Sequence, residues 1–190
     1  MIKEGMFYKQ LENRKVKCEL CPHLCEILPG KRGLCRVREN REGVLFSLNY
    51  QRLIAAHVDP IEKKPLFHFY PGSQSYSIAA IGCNFRCLHC QNWTISQVKG
   101  DVIKGEEVSP AKVVQNAIDN QCLSISYTYT EPSIYYETAY DISRLARQKG
   151  LKNIFVTNGY ISSDPLNYIA PYLDAANIDL KAMNEDFYRK

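Results

Sequence analysis

SYSIAAIGCNFRCLHCQNW, residues Ser75 to Trp93, runs from a short apolar segment directly into three cysteines, Cys83, Cys87 and Cys90. An apolar run without alternation, bounded by turn residues, suits a strand buried on both faces of a parallel sheet. The cysteine loop then leaves the C-terminal end of that strand. The spacing CxxxCxxC supplies three thiolates, one fewer than the four that complete a four-iron cluster. One iron of a 4Fe-4S cubane held this way is left for a ligand brought from outside.

Downstream of this stretch, strands and helices alternate. Ser109 followed by Pro110 gives an N-cap and first-turn signal for a helix through about Gln121, and SISYTYT reads as a strand ending at Thr130. Glu131 and Pro132 follow at the strand end, Ser133 is placed to cap a second helix, and YYETAYDISRLARQKG runs to a terminating Gly150. KNIFVTN is a third strand, a helix from about Pro165 to Leu173 follows, and NIDLKA is a fourth strand that carries Asp179 and Lys181. A βαβαβαβ order implies a parallel sheet with right-handed crossovers, and in parallel barrels ligands collect where the strands end. The cysteine loop, Thr130 with Glu131, Thr157 to Gly159, and Asp179 with Lys181 all fall at or near such ends. Cys122, alone before the second strand, is read as a buried free thiol.

Upstream, Cys18, Cys21, Cys25 and Cys35 form a second group. Four sulfurs so closely spaced can enclose a tetrahedral zinc or a complete second iron-sulfur cluster, and a closed site of that kind supports structure. Reduced thiols packed as apolar residues are the alternative. His23, between the second and third cysteines, is a candidate to replace one thiolate, although a histidine in such a loop is more often solvated or hydrogen-bonded than ligating. From Gly43 to Tyr70, VLFSLNY and RLIAAHV read as short strands and DPIEKKP as the polar turn after them. His57 and His68 have no ligand partner at a suitable spacing and take no role. The chain divides into a Cys-rich N-terminal module (1–42), a β-rich connector (43–74) and the alternating region (75–190).

Composition excludes several classes. A net charge of +4 without a run of like charges gives no basis for nucleic-acid binding. No signal core opens the chain, and no window reaches the roughly 18 apolar residues that span a bilayer. A cytoplasmic protein without a membrane partner is expected. Eight cysteines in 190 residues, about 4%, fall below the ~8–10% of disulfide scaffolds, and their clustering is that of metal sites.

Taken together, CELCPHLCEILPGKRGLCRVREN, DPIEKKPLFHFYPGS, GCNFRCLHCQNW, YTYTEPSIYYE, FVTNGYI and IDLKAMNEDFY resemble the radical S-adenosylmethionine (SAM) enzymes. Within them, the chain is similar to the group related to pyruvate formate-lyase activating enzyme, and in particular to the radical enzyme of the AmmeMemoRadiSam gene system. The resemblance implies a partial parallel (β/α) barrel, a 4Fe-4S cluster, SAM bound at its open iron, and an electron donor such as a flavodoxin or ferredoxin. Reductive cleavage of SAM would give a 5'-deoxyadenosyl radical that abstracts hydrogen from a protein or small-molecule substrate, as an oxidoreductase or activating enzyme does.

Site residues follow position by position. Cys83, Cys87 and Cys90 match the cluster ligands. His89 stands where the family has an aromatic residue beside the adenine, although a packed loop histidine is the alternative. Glu131 matches the acidic position of a GGE motif whose glycines are replaced here by Tyr129 and Thr130. Asn158 and Asp179 match strand-end residues that contact cofactor. Asp179 and Lys181 together match reaction-site residues, with a plain strand-end salt bridge as the alternative. Trp93 is expected to shield the cluster from solvent. The resemblance also implies more barrel strands than the four read here, so the fold expected is a barrel truncated after its fourth strand, with that strand as an open edge. A non-catalytic iron-sulfur or zinc-binding protein, or an inactive fragment, is the competing functional class.

Overall fold

A computed structural model of the chain describes residues 1–98, 100 and 102–189. The N-terminal part is built from short strands: β1 (Lys3–Glu4), β2 (Tyr8–Gln10), β3 (Val16–Cys18), β4 (Glu26–Ile27), β5 (Arg38–Arg41) and β6 (Val44–Ser47). They form two three-stranded antiparallel sheets, ordered β2-β3-β4 and β1-β6-β5. Val16, Leu20, Ile27, Val37 and Leu45 are buried between them. So few apolar residues make a thin core, and a buried ion pair crosses out of it. Arg38 Nη1 donates to both Glu137 carboxylate oxygens, at 2.9 and 3.2 Å, and Arg38 Nη2 donates to Met6 O at 2.6 Å.

The main sheet adds β7 (Arg52–Pro60), β8 (Gln74–Ala80), β9 (Glu106–Glu107), β10 (Ser124–Tyr127), β11 (Lys152–Thr157) and β12 (Ala175–Ile178). Its order is β12-β11-β10-β8-β7-β9; β8, β10, β11 and β12 run parallel, and β7 and β9 are antiparallel additions. The helices are α1 (Trp93–Ser96), α2 (Pro110–Asp119), α3 (Tyr136–Gln148), α4 (Ser163–Ile169) and α5 (Glu185–Arg189). This is a mixed α/β fold around a parallel core. Ser109 Oγ accepts from Lys112 N at 3.3 Å to cap α2, and Pro110 takes the first helical position, where its missing N–H costs nothing. α3 buries Ala139, Ile142 and Ala146 and ends before Gly150, whose φ of +78° turns the chain into β11.

The two faces of the sheet differ. Tyr127, Tyr135 and Tyr136 are fully buried with each hydroxyl satisfied, donating to Asn153 Oδ1 (3.0 Å), Ile78 O (3.2 Å) and Pro165 O (2.7 Å) respectively. Ser75 and Ser77 on β8 pair with Ser124 and Ser126 on β10, so they line the same face, where Ser75 and Ser126 hydroxyls meet at 2.6 Å. Asp59 of β7 stands opposite Ser75 and is bound by Lys63 and Lys64, each at 2.7 Å.

Several boundaries differ from the sequence reading. The second parallel strand stops at Tyr127, because Tyr129 adopts φ +66° and Thr130 N folds back onto Thr128 O. Ser133 caps nothing: the Glu131 carboxylate accepts from Ser133 N and caps the 3-10 turn Pro132–Tyr135 that leads into α3. Asp59 and Pro60 belong to β7 and not to the turn after it. Asp179 and Lys181 lie beyond β12, although Asp179 N still bonds Thr157 O at 2.8 Å. Cys122 is buried and free, as read.

Candidate functional site

Gly82, two residues past β8, adopts φ +107°, and its N–H bonds Ile95 O at 3.0 Å, so the segment between them closes into a loop. Inside it Cys90 N bonds Cys87 O at 3.2 Å and Trp93 N bonds Cys90 O at 3.3 Å. Cys83, Cys87 and Cys90 are partly buried and free. Phe85 N donates to Cys83 Sγ at 3.4 Å, and Cys90 Sγ lies 3.3 Å from Ser96 Oγ. Burial pushes the Cys83 thiol up to about 12; the Phe85 N–H opposes this, while Glu131, Cys87 and Cys90 add to it. Leu88 between them is almost fully exposed, and Trp93 is 53% exposed, so the indole leaves much of itself in water.

Asparagines tie this loop to the strand ends. Asn84 Nδ2 donates to Tyr160 O at 2.9 Å, and Asn84 Oδ1 accepts from Asn158 Nδ2 at 2.8 Å. Asn92 Nδ2 donates to Tyr129 O at 2.9 Å, which pins the loop to the turn after β10. Glu131 sits behind them, 1% exposed. Its Oε1 accepts from Thr157 Oγ1 (2.8 Å) and Ser133 N (3.1 Å), and its Oε2 accepts from Asn158 N (2.8 Å). Burial raises its carboxyl above the ordinary range, and these donors only partly offset that. The carboxylate thus joins the end of β10 to the end of β11.

On the outer side of the loop lies a cavity of about 470 Å³, lined among others by Cys87, His89, Asn84, Tyr160, Lys181 and Phe187. That volume is within the roughly 300–1,000 Å³ of small-molecule sites. His89 faces Phe187 with ring centroids 5.4 Å apart, and Phe85 faces Tyr160 at 5.2 Å. Lys181 Nζ pairs with Asp179 Oδ2 at 2.7 Å, and Asn177 Nδ2 holds the other oxygen at 2.7 Å. The structure therefore brings Cys87, His89 and Lys181 to one cavity, with Asp179 beside it. Glu131 and Asn158 stand one layer behind, linked to it through Asn84. Cys18, Cys21, Cys25 and Cys35 lie round a separate, small cavity that also touches Asn84.

The sequence reading missed Asn84 and Asn92. Asparagine between closely spaced ligands is itself a signal, since its side chain bonds neighbouring backbone and fixes turns.

Radical SAM superfamily is the family whose model matches this chain, over residues 78–190. The match covers the end of β8, the other parallel strands, the cysteine loop and every strand end just described, and the chain belongs to that superfamily. It is 52% identical over 189 residues to an uncharacterized protein of Methanocaldococcus jannaschii, covering 100% of this chain and 56% of that relative. A second uncharacterized protein of the same organism is 24% identical over 178 residues, covering 89% of this chain and 46% of the relative. The chain thus spans about half the length of the curated relatives it matches. No helix among the described residues is long and apolar enough to cross a membrane.

Members of the superfamily characteristically use a 4Fe-4S cluster and SAM, and the donor set here fits such a cluster. Three free thiols stand on one loop, one already receives a backbone N–H, and neither Glu131 nor Asp179 is free to compete as a fourth ligand because protein donors engage both. Among the described residues, no group of three or more His, Cys, Asp or Glu side chains converges as a pre-formed single-ion site. A cubane, whose corners are separate iron atoms, does not require that convergence.

Proposed function

We propose that this chain carries the SAM-cleaving centre of a radical SAM enzyme that abstracts hydrogen from a substrate of protein or small-molecule class. Cys83, Cys87 and Cys90 would hold three irons of a 4Fe-4S cluster, leaving the fourth for the amino and carboxylate groups of SAM. When bound and reduced, the cluster supplies the electron that splits the sulfonium into methionine and a 5'-deoxyadenosyl radical. The observation that carries this reading is the placement of three unpaired thiols on one strand-end loop, beside a cavity of about 470 Å³.

The chain's own residues have defined tasks in this reading. Asn84 and Asn92 hold the loop in register with the turn after β10 and with Tyr160, so the sulfurs cannot drift apart. Glu131 fixes Asn158 through its backbone N–H and thereby orients the Asn158 side chain on Asn84. His89 and Phe187 offer aromatic faces for a purine, and the Asp179–Lys181 pair offers both signs of charge to a zwitterion. Electrons would come from a flavodoxin or ferredoxin, and a glycine of a partner protein is one substrate consistent with activating-enzyme chemistry. The parallel strands would form one wall of a partial barrel that receives a further strand at the free edge of β12, with the N-terminal cysteine module packed against it.

The test is anaerobic reconstitution with iron and sulfide, followed by a strong reductant and SAM, with 5'-deoxyadenosine measured by mass. Release of 5'-deoxyadenosine that vanishes in Cys87→Ala supports the assignment. Intact SAM in a reduced sample whose cluster is confirmed by its spectrum overturns it and leaves a metal-binding role.

A further inference from the structure

We propose that Cys18, Cys21, Cys25 and Cys35 form a closed tetrathiolate site for one divalent ion of the zinc class, and that this site braces the loop carrying Cys83, Cys87 and Cys90. All four thiols are free, and all four line one cavity of about 20 Å³. That is room for about one water-sized sphere. Besides the sulfurs, the wall combines apolar Leu20, Ile27, Leu34 and Ile134 with Arg38, His23 and Asn84. A cluster of four irons and four sulfides does not fit such a space, whereas one ion surrounded by sulfur does.

A further observation points the same way. Arg38 lines the cavity at 1% exposure, and its Nε has no hydrogen-bond partner among the described residues. An orphaned donor beside weakly accepting thiols is costly, and thiolate sulfurs give it an acceptor. His23 is not needed as a ligand, since its Nε2 is engaged with Asn84 O at 2.9 Å. The thiols ring the cavity without the convergence of a formed site. An ion there would draw the sulfurs to the separations of about 3.8 Å that Zn–S bonds of about 2.3 Å impose.

The bracing follows from contact. His23 meets Asn84 of the cluster loop, Arg86 Nη2 donates to Leu34 O, and Gly82 packs so closely on Cys35 that an added Cβ would lie 3.1 Å from Cys35 O. An ion that fixes the 18–35 loops therefore fixes the floor beneath the three cluster ligands.

This inference does not rest on the SAM reading, and metal counting separates the two. The full chain, expressed with zinc and iron available and purified anaerobically, should hold about one zinc per chain. The triple variant Cys83→Ala, Cys87→Ala, Cys90→Ala should lose its iron and keep that zinc. Cys21→Ser or Cys25→Ser, both at partly exposed positions, should lose the zinc and retain less reconstituted iron than the parent. Should those variants fail to fold, titrating the wild-type thiols with a mercurial reagent beside a zinc-sensitive dye gives the same answer, with about one zinc released as the N-terminal thiols react. Zinc at background level in wild type, or iron retained by the triple variant, overturns the proposal.

Discussion

Two cysteine groups meet at the same asparagine, Asn84, which lines the cavity of the first and lies 3.8 Å from Cys83 Sγ of the second, and their surroundings are opposite. Cys18 and Cys35 are buried, their cavity is atom-sized, and a guanidinium stands in its wall. Cys83, Cys87 and Cys90 are only partly buried, and Cys87 borders a cavity more than twenty times larger, rimmed by aromatic rings and a lysine. Metal sites divide in the same way: closed sites hold structure, and open ones keep a coordination position for chemistry. If both sites fill as proposed, one short module supplies rigidity to another that must stay accessible, and the two share a seam. That seam is Gly82, Asn84 and Arg86.

The largest effect is expected on the closed side. Glu137→Ala leaves the Arg38 guanidinium buried without its carboxylate, and removing one partner of a buried pair costs about 3–5 kcal/mol. Urea unfolding of the metal-free chain should show that loss as a shift in midpoint at unchanged slope. It should also weaken zinc retention, since Arg38 would be free to turn away from the sulfurs. A loss below about 1 kcal/mol would mean that Arg38 reaches water once its partner is gone, and that the module is less closed than its burial indicates.

The seam comes next. Gly82→Ala forces a side chain onto φ +107° and places its Cβ 2.9 Å from Val37 Cγ1. Such a conformation costs on the order of 1–3 kcal/mol, before any contact with Cys35 is counted. Both cysteine groups should suffer together. A variant that keeps both metals at wild-type occupancy would show that the two sites are independent.

How much of this was legible in the sequence depends on the range of the interaction. Ser109–Pro110 and Gly150 bounded α2 and α3 because caps and terminators are local chemistry, and the apolar run Ser75–Ile81 announced a buried parallel strand for the same reason. The strand ends then placed Cys83, Glu131, Asn158 and Asp179 on one side of the sheet. What escaped was non-local. Arg38 and Glu137 are 99 residues apart, and nothing at either position signals the other. Tyr129 takes a positive φ that its type does not favour, held by Asn92 and by its hydroxyl on Asp59, so the strand ends earlier than its composition implies. Glu131 was read for its match to a ligand-handling position. Its role as the cap of the following turn needed the fold, because its partners Thr157 and Asn158 arrive from another strand.

On the open side, Glu131→Gln sharpens the contrast through pH. A carboxyl whose folded-state value is raised binds protons more tightly in the native chain than in the unfolded one. Its stabilising contribution is present below the unfolded value of about 4.3 and is lost as pH rises through the folded value. Wild type should therefore lose some stability across that interval, and the Gln variant should lack that component. Gln also replaces one acceptor oxygen with a donor that faces Thr157 Oγ1 or Asn158 N, at a cost of about 1–3 kcal/mol. A pH profile parallel to wild type would show that Glu131 stays ionised in the fold.

The smallest effect is expected at the rim. Trp93 follows Cys90 directly and was expected to shield the cluster, yet its side chain is 53% exposed and lies on the water side of α1. Trp93→Ala should change folding stability by no more than about 0.5 kcal/mol, the usual range for a surface site. Its effect on the reconstituted cluster is the sharper measure. If access to the cubane is governed by the large aromatic cavity, bleaching of the cluster absorbance in air should proceed at nearly the wild-type rate, while Phe187→Ala should speed it. A cluster that decays several-fold faster in Trp93→Ala alone would move the point of entry from the cavity to the helix side of the loop, and the open site would then face the opposite way from the one its lining residues indicate.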